Sequence, residues 1–574
     1  MKRYNNPATH KQRISLVIAI FVLLSFSVVA RLAYLQVYKH DDYKKVASAQ
    51  HSFKDLISAK RGQIFVNDSI TGAPFLIASN ESLDLLYINA KEIENEQETI
   101  EKLSGIINMK KEELEPKFDD KSVYTIIKHR LTKSESDQIT TADIKGVYLQ
   151  NENWRYYPEN TLASSILGFV TAEGDGNYGI EQYFNKILKG EDGYLSEETD
   201  AHGIKIAFGN NGSVGATNGD DVYLTVDRYI QGMAEKTLAE TIKKFTADSG
   251  QVIVLDKTTG KVLALANAPV FDPNKYTDIK DFSVFKNKAI TDLYEPGSVF
   301  KAVTLAAGVD AGKITPETTY TDTGSVVLNG NSIKNSDLKA HGVCTMSYVL
   351  EASLNTGTTF VEQKLGKDMF YDYVKKFGFG DKTGIEFDGE AEGKVYEPSE
   401  LNDHGYATIS FGQSISTTAL QMIQAYATIA NDGIMMQPYI VDKTVNSTGK
   451  ENKTNSKEVR RVISEKAAAD MKKMLINVVE KGHGGQAKVK GYKIAGKTGT
   501  AQVIKPDGTG YLDGVNIGTF IGFPVVDDAN FVVLAKIDNP KGVQWAESTA
   551  APVVGTMLDY LLKYYQIPPT EKTP

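Results

Sequence analysis

Three short stretches carry residue types that can do chemistry together: Ser298-Val299-Phe300-Lys301, Ser353-Leu354-Asn355 and Lys497-Thr498-Gly499-Thr500. Singly each is weak, because Ser-x-x-Lys arises by chance about a few times in a chain this long. All three in this order read as an activated-serine acyl-transfer site. A serine is a poor nucleophile until a neighbouring base takes its proton. Lys301, three residues on, projects its amine over the same helical face as the Ser298 hydroxyl. It can act as base only if its pKa falls from the usual ~10.4, which burial and a nearby cation achieve. Lys497 would supply that cation. The plainer alternative, a helix-capping Ser298 with a solvated Lys301, suits an isolated match but not the set.

The flanking residues predict what positions these groups. Glu295-Pro296-Gly297 is a breaker run, and Val299, Phe300, Val303, Leu305 and Ala306 follow as an apolar helix ending near Gly308. Ser298 then sits at a helix N-terminus, where free N–H groups favour developing negative charge. Tyr492 to Val503 reads as a strand in which Gly496 and Gly499 allow close approach by another backbone or a ligand. Thr498 and Thr500 share a face by the two-residue period and, with Lys497, suit a substrate carboxylate. The Thr500 and Ser298 N–H groups could pair as an oxyanion hole. Ser353 and Asn355 follow a helical stretch, Met346 to Leu350. Ser353 could relay protons among Lys301, Lys497 and a leaving amine, and Asn355 could bind a substrate amide. A capping Ser with a turn Asn before Gly357 is the alternative there.

With these motifs the chain resembles the class B penicillin-binding proteins, monofunctional peptidoglycan D,D-transpeptidases. The resemblance runs through most of the length. It includes Arg31-Leu32 with Leu35-Gln36-Val37, Arg61-Gly62-Gln63-Ile64, Arg155, Tyr157-Pro158, Gly179-Ile180-Glu181, and Leu224-Thr225-Val226-Asp227 with Gln231. Phe271-Asp272-Pro273-Asn274 and Phe411-Gly412-Gln413 with Gln421 extend it. Two departures stand out. Val66-Asn67-Asp68-Ser69 replaces the family's usual Asp-Arg-Asn-Gly, with Gly72 available for the glycine role, and Ala352 stands where a serine often precedes the second motif. The resemblance implies catalytic roles for Ser298, Lys301, Ser353 and Lys497, substrate contacts from Asn355, Thr498, Gly499 and Thr500, and acylation of Ser298 by β-lactams. It implies stem peptides ending in D-Ala-D-Ala as substrate and no cofactor. Tyr294-Glu295-Pro296-Gly297 and Thr383-Gly384-Ile385 with Gly389-Glu390 look more like the septal branch than the elongation branch. A septal role implies a polytopic glycan polymerase and bitopic division proteins as partners. An elongation-type transpeptidase, a D,D-carboxypeptidase, a β-lactamase and an inactive scaffold of a wall-building complex are the rival readings.

Composition narrows the class without naming it. The 574 residues can bury two substantial cores, and a net charge of −8 argues against nucleic-acid binding. One cysteine, Cys344, excludes an intrachain disulfide framework, and eight scattered histidines include no metal-binding H-E-x-x-H, so no metal is expected. His341 and His404 lie near the motifs but read as ordinary hydrogen-bonding histidines. Lys2, Arg3, Lys11 and Arg13 precede an uncharged apolar run from Ile14 to Ala30, predicting a single-pass cell-membrane protein with a cytoplasmic N-terminus and the rest outside. Val28-Val29-Ala30 resembles a cleavage site, but continuing apolar residues favour an uncleaved anchor. The expected organisation is a cytoplasmic tail (1–13), a transmembrane helix (14–37), an elongated α+β pedestal without catalytic groups (41–217), a transpeptidase domain (219–567) and a tail (568–574). The expected fold is α+β, an antiparallel sheet with helices on both faces. It includes a helix over 227–245, a hairpin 251–255/261–266 turning at Thr258-Thr259-Gly260, strands at 519–523 and 531–537, and a closing helix at 553–565. The polar Lys443–Lys457 stretch reads as an exposed loop.

Overall fold

The computed structural model describes residues 7–40, 43, 52–118, 122–198, 212–505, 510–543 and 545–570. Lys2 and Arg3 of the basic flank, the start of the expected pedestal at 41–42 and the end of the tail (571–574) lie outside the described residues. The chain divides into two compact units, Met1–Ala59 with Glu191–Asn218, and Lys60–Gly190 with Gly219–Pro574.

In the first unit the apolar run forms an α-helix, Pro7–Ala33, continued by a π-helical turn, Tyr34–Tyr38. Its Leu, Ile, Val and Phe side chains are exposed. That is the arrangement of a helix whose solvent is not water. Lys11–Tyr38 is long and apolar enough to cross a membrane. Arg31 lies in the last α-helical turn. The same unit holds an antiparallel sheet of Ser52–Ile57, Gly193–Glu198 and Gly212–Val214.

The second unit is built on a five-stranded antiparallel sheet. Its order is Val262–Ala268, Ser249–Asp256, Phe531–Asp538, Tyr511–Pro524 and, at the edge, Ile494–Ile504. The strands are apolar on both faces, and the two-residue period sorts them into two cores. Val252, Val254, Val533 and Ala535 face one core with the helices Arg228–Phe245 and Ala550–Tyr564. Ile253, Leu255, Val532 and Leu534 face the other with Lys301–Asp310, Ala419–Ala430 and Glu465–Glu480. The α+β expectation of helices on both faces is met. The hairpin turns at Thr258-Thr259-Gly260, where Gly260 takes φ +84° and Asp256 Oδ1 accepts from the Thr258 and Thr259 amides.

A second, mixed sheet joins residues on either side of position 217. Asp221–Asp227 pairs in parallel with Ile64–Asn67 and antiparallel with Val441–Val445, and Pro74–Ile88, Thr125–Leu131 and Val147–Tyr156 extend it. Beside it Glu181, fully buried on the short helix Gly179–Tyr183, receives Arg155 Nε of the last of these strands at 2.6 Å and Arg61 Nη2 at 2.6 Å. Tyr157 donates its hydroxyl to the same carboxylate at 3.2 Å. Burial pushes this carboxyl up, but the two guanidinium charges outweigh it and hold the pKa below the usual range.

One local expectation is corrected. The polar Lys443–Lys457 stretch is not a loop throughout: Val441–Val445 and Glu451–Lys453 form a hairpin at the edge of the mixed sheet. The outer strand Glu451–Lys453 is exposed and Asp442–Val445 are half-buried, so the polarity of the stretch reflects exposure and not lack of a ladder. The helix Glu96–Ile107 starts where Asn95 caps it by accepting from the Glu98 amide.

Candidate active site

Ser298 lies in a tight turn held from three sides. Gly297 takes φ +60°, and its amide donates to the Gly412 carbonyl at 3.0 Å. The turn is 3-10 over Gly297–Phe300 before the α-helix Lys301–Asp310 begins, so Ser298 is one turn outside the α-helix that its sequence suggested. Tyr426 donates its hydroxyl to the Val299 carbonyl at 2.7 Å. On the third side is the edge strand. A Cβ at Gly499 would come within 2.9 Å of the Val299 amide, so only glycine lets strand and turn approach this closely.

Lys301 and Lys497 are both fully buried beneath this turn. Lys301 Nζ donates to the Ser353 carbonyl at 2.5 Å and to Ser353 Oγ at 3.2 Å. Lys497 Nζ donates to Ser353 Oγ at 3.0 Å and to the Thr498 carbonyl at 3.0 Å. Ser353 offers both acceptors toward one side because it adopts φ +58°, a left-handed conformation that costs a non-glycine residue about 1–3 kcal/mol. The helix Met346–Glu351 ends just before it and Asn355–Leu365 starts just after, while Leu354, buried, fixes the reversal by donating its amide to the Val349 carbonyl.

The electrostatics follow from this burial. Desolvation, and then the neighbouring Lys497 charge, pull the Lys301 pKa well below that of a free lysine. Lys497 is pulled down to about 7 by burial, opposed by the carboxylate of Glu547. The two ammonium groups share one hydroxyl, so both cannot be charged cheaply, and Lys301 is the one that gives up its proton first. A neutral amine has two N–H groups and a lone pair. Ser353 accepts both N–H groups, which leaves the lone pair of Lys301 able to take a proton.

Two cavities open on Ser298. One, of about 530 Å³, is lined by Ser298, Ser353, Thr498, Thr500, Tyr348 and Glu547 among others. The second, of about 740 Å³, is lined by Ser298, Asn355, Phe411, Gln502, Asn516 and Trp545 among others. Thr498 and Thr500 therefore share a cavity with the serine. Thr500 Oγ1 accepts from the Ala546 amide at 3.1 Å, which leaves its own O–H free to donate. Asn355 faces the other cavity and donates to the Lys334 carbonyl at 2.8 Å. Gly499 lines neither cavity and acts in packing against the serine turn. His341 is hydrogen-bonded to Tyr348 (3.2 Å) and Asp337 (2.9 Å), and His404 lines neither cavity. No group of His, Cys, Asp and Glu able to hold a metal occurs among the described residues.

Several lining residues escaped the sequence reading, among them Ser336 and Trp545, which border both cavities, and the His483–Glu547 pair. Trp545 is one of only two tryptophans and 45% exposed, a composition signal that could have been followed. Glu547 and His483 lie 64 positions apart, and no periodicity connects them.

The comparisons with known proteins agree with this architecture. Residues 250–559 match the penicillin-binding protein transpeptidase domain, and residues 56–224 match the penicillin-binding protein dimerisation domain. The chain is a class B penicillin-binding protein. It is 30% identical to the stage V sporulation protein D of Bacillus subtilis over 557 residues, covering 96% of this chain and 85% of the relative. It is 28% identical to the peptidoglycan D,D-transpeptidase FtsI of Buchnera aphidicola, covering 98% and 96%. The crystal structure of penicillin-binding protein 3 from Mycobacterium tuberculosis, complexed with aztreonam, superposes with a TM-score of 0.69 at 26% identity, over 91% of this chain and all of that one. As in its family, the apolar N-terminal helix anchors the chain in a membrane.

Proposed function

We propose that this penicillin-binding protein is a peptidoglycan D,D-transpeptidase that works through an acyl-enzyme on Ser298. The observation that supports it most is the pair of buried lysines converging on Ser353 beneath the serine, one drawn well below the pKa of a free lysine and the other down to about 7. Lys301 takes the Ser298 proton as Oγ attacks the carbonyl of the penultimate D-alanine. The C–N bond to the terminal D-alanine breaks, and the proton passes through Ser353 to the departing amine. An amine from a neighbouring stem peptide then attacks the ester and loses its proton along the same path, and Ser298 regains its hydrogen. Thr498 and Thr500 hold the terminal carboxylate with Lys497, and Asn355 binds peptide on the other side of the serine. β-Lactams acylate the same hydroxyl.

The role in the cell is septal wall synthesis. The sequence around Tyr294–Gly297 and the Thr383–Glu390 segment favour that branch. In that segment Glu390 closes a loop by accepting from the Thr383 and Gly384 amides. The basic residues ahead of the apolar helix favour an N-terminus in the cytoplasm and a catalytic unit outside. A polytopic glycan polymerase and bitopic division proteins would meet it through the membrane helix and the 56–224 region.

Supplied with a D-Ala-D-Ala stem peptide and a competing amine, the purified protein should release D-alanine and form the aminolysis product in excess of the hydrolysis product. Hydrolysis alone would make it a carboxypeptidase. Rapid release of a penicilloyl group would make it a β-lactamase.

A further inference from the structure

Lys497 works as a cation only if something keeps its charge, because it is buried beside a second lysine. Its hydrogen bonds are all to neutral oxygens: Ser353 Oγ, the Thr498 carbonyl and, at 3.4 Å, Thr498 Oγ1. The charged groups that line the cavity over its hydrogen-bond partners Ser353 and Thr498 come from several elements. Lys301 lies beneath, Glu351 comes from the helix Met346–Glu351, Lys481 and His483 follow the helix Glu465–Glu480, and Glu547 sits on the 3-10 turn Ala546–Ser548. Asp337 and His341 border the same cavity, but each is the other's partner at 2.9 Å. Of these carboxylates, Glu547 is carried on the turn whose Ala546 amide is bonded to Thr500 of the strand that bears Lys497, and its charge raises the Lys497 pKa against burial. It is also held in place, since His483 Nδ1 lies 3.1 Å from its Oε2 and Trp545 and Ala546 fix the turn that carries it against Thr500.

We propose that Glu547, oriented by His483, is a positioning residue that serves as the counter-charge of Lys497 across the substrate cavity. The inference rests on the acyl-transfer reading above. With the carboxylate in place, Lys497 keeps its proton to higher pH while Lys301 is neutral, which is the pairing that proton removal from Ser298 requires. The cavity lies open to solvent between them, so the effect is modest and sensitive to salt.

The test is the pH dependence of acylation of the full-length protein by a chromogenic or fluorescent β-lactam, for wild type, Glu547→Gln, Glu547→Asp and His483→Gln. Removing the carboxylate lets Lys497 lose its proton at lower pH, so the alkaline limb of the profile for Glu547→Gln moves down. At pH 8 the rate relative to wild type falls by about threefold at low salt, and the gap closes at about 1 M salt. Glu547→Asp, which keeps the charge, restores most of the alkaline limb, and His483→Gln shows a smaller shift of the same sign. A Glu547→Gln profile that overlays wild type, or one lowered equally at every pH and salt, overturns the proposal. Wild-type labelling at Ser298, run alongside, separates that outcome from failure of the acyl-transfer reading itself.

Discussion

Lys301→Met is expected to lower the rate of acylation by a β-lactam by about 10²- to 10⁴-fold, the usual contribution of a positioned base, without unfolding the protein. Methionine has nearly the same length and fills the same fully buried space. What it removes is the amine that can accept the Ser298 proton. Its effect on stability separates the chemistry from the fold. The folded state depresses the Lys301 pKa, so between that depressed value and ~10.4 the unfolded chain binds a proton that the native chain does not. Wild-type stability therefore rises with pH across this window, and below it the full cost of charging a buried lysine is present. Lys301→Met lacks this cost, so it should be at least as stable as wild type near neutrality, with its margin shrinking as the pH approaches the value of a free lysine. Denaturation midpoints at several pH values, set beside stopped-flow acylation rates, read both effects. Acylation within tenfold of wild type would remove Lys301 from the role of base.

Glu181→Gln should cost about 3–5 kcal/mol of stability, the penalty for leaving a buried charge without its partner. The side chain keeps its shape, but Arg155 and Arg61 then face a neutral amide, and both are almost fully buried. Their other hydrogen bonds, to the Gly62, Gly174 and Glu181 carbonyls, Asn80 and Asn185, are all to neutral oxygens and do not neutralise them. The pKa of Glu181 is held low, so its contribution is present above the ordinary carboxylate range and is lost as pH falls through the depressed value. The gap between Glu181→Gln and wild type should accordingly be wide at pH 7 and narrow in acid. Denaturant unfolding followed by fluorescence at the two pH values measures it. An equal gap at both would mean that geometry and not charge carries the effect.

The sequence made the sheet-and-helix order of the catalytic unit readable because its strands are continuous apolar runs bounded by turn residues. Gln251–Leu255 falls within the observed strand Ser249–Asp256, and Lys261–Ala266 overlaps Val262–Ala268 all but its first residue. The C-terminal helix was readable for the same reason, and it starts three residues earlier, at Ala550. The hairpin within Lys443–Lys457 was not readable, since its exposed outer strand, Glu451–Lys453, shows no apolar period. Within the site, the spacing placed Thr498 and Thr500 on one face of their strand. It could not show that Lys497, on the opposite face, brings its ammonium round to Ser353. Nor could it show that Ser353 reverses the chain with φ +58°. Those two facts depend on tertiary packing of segments about 150 residues apart. His483 and Glu547 lay beyond reach for the same reason.

The most direct measurement is a peptide map of the protein after brief exposure to excess benzylpenicillin. The acyl-enzyme mechanism requires one added penicilloyl mass on the peptide containing Ser298, absent from a folded Ser298→Ala variant and abolished by prior boiling. An adduct mapped to Ser353 or elsewhere, or capture of penicillin by Ser298→Ala, would contradict it.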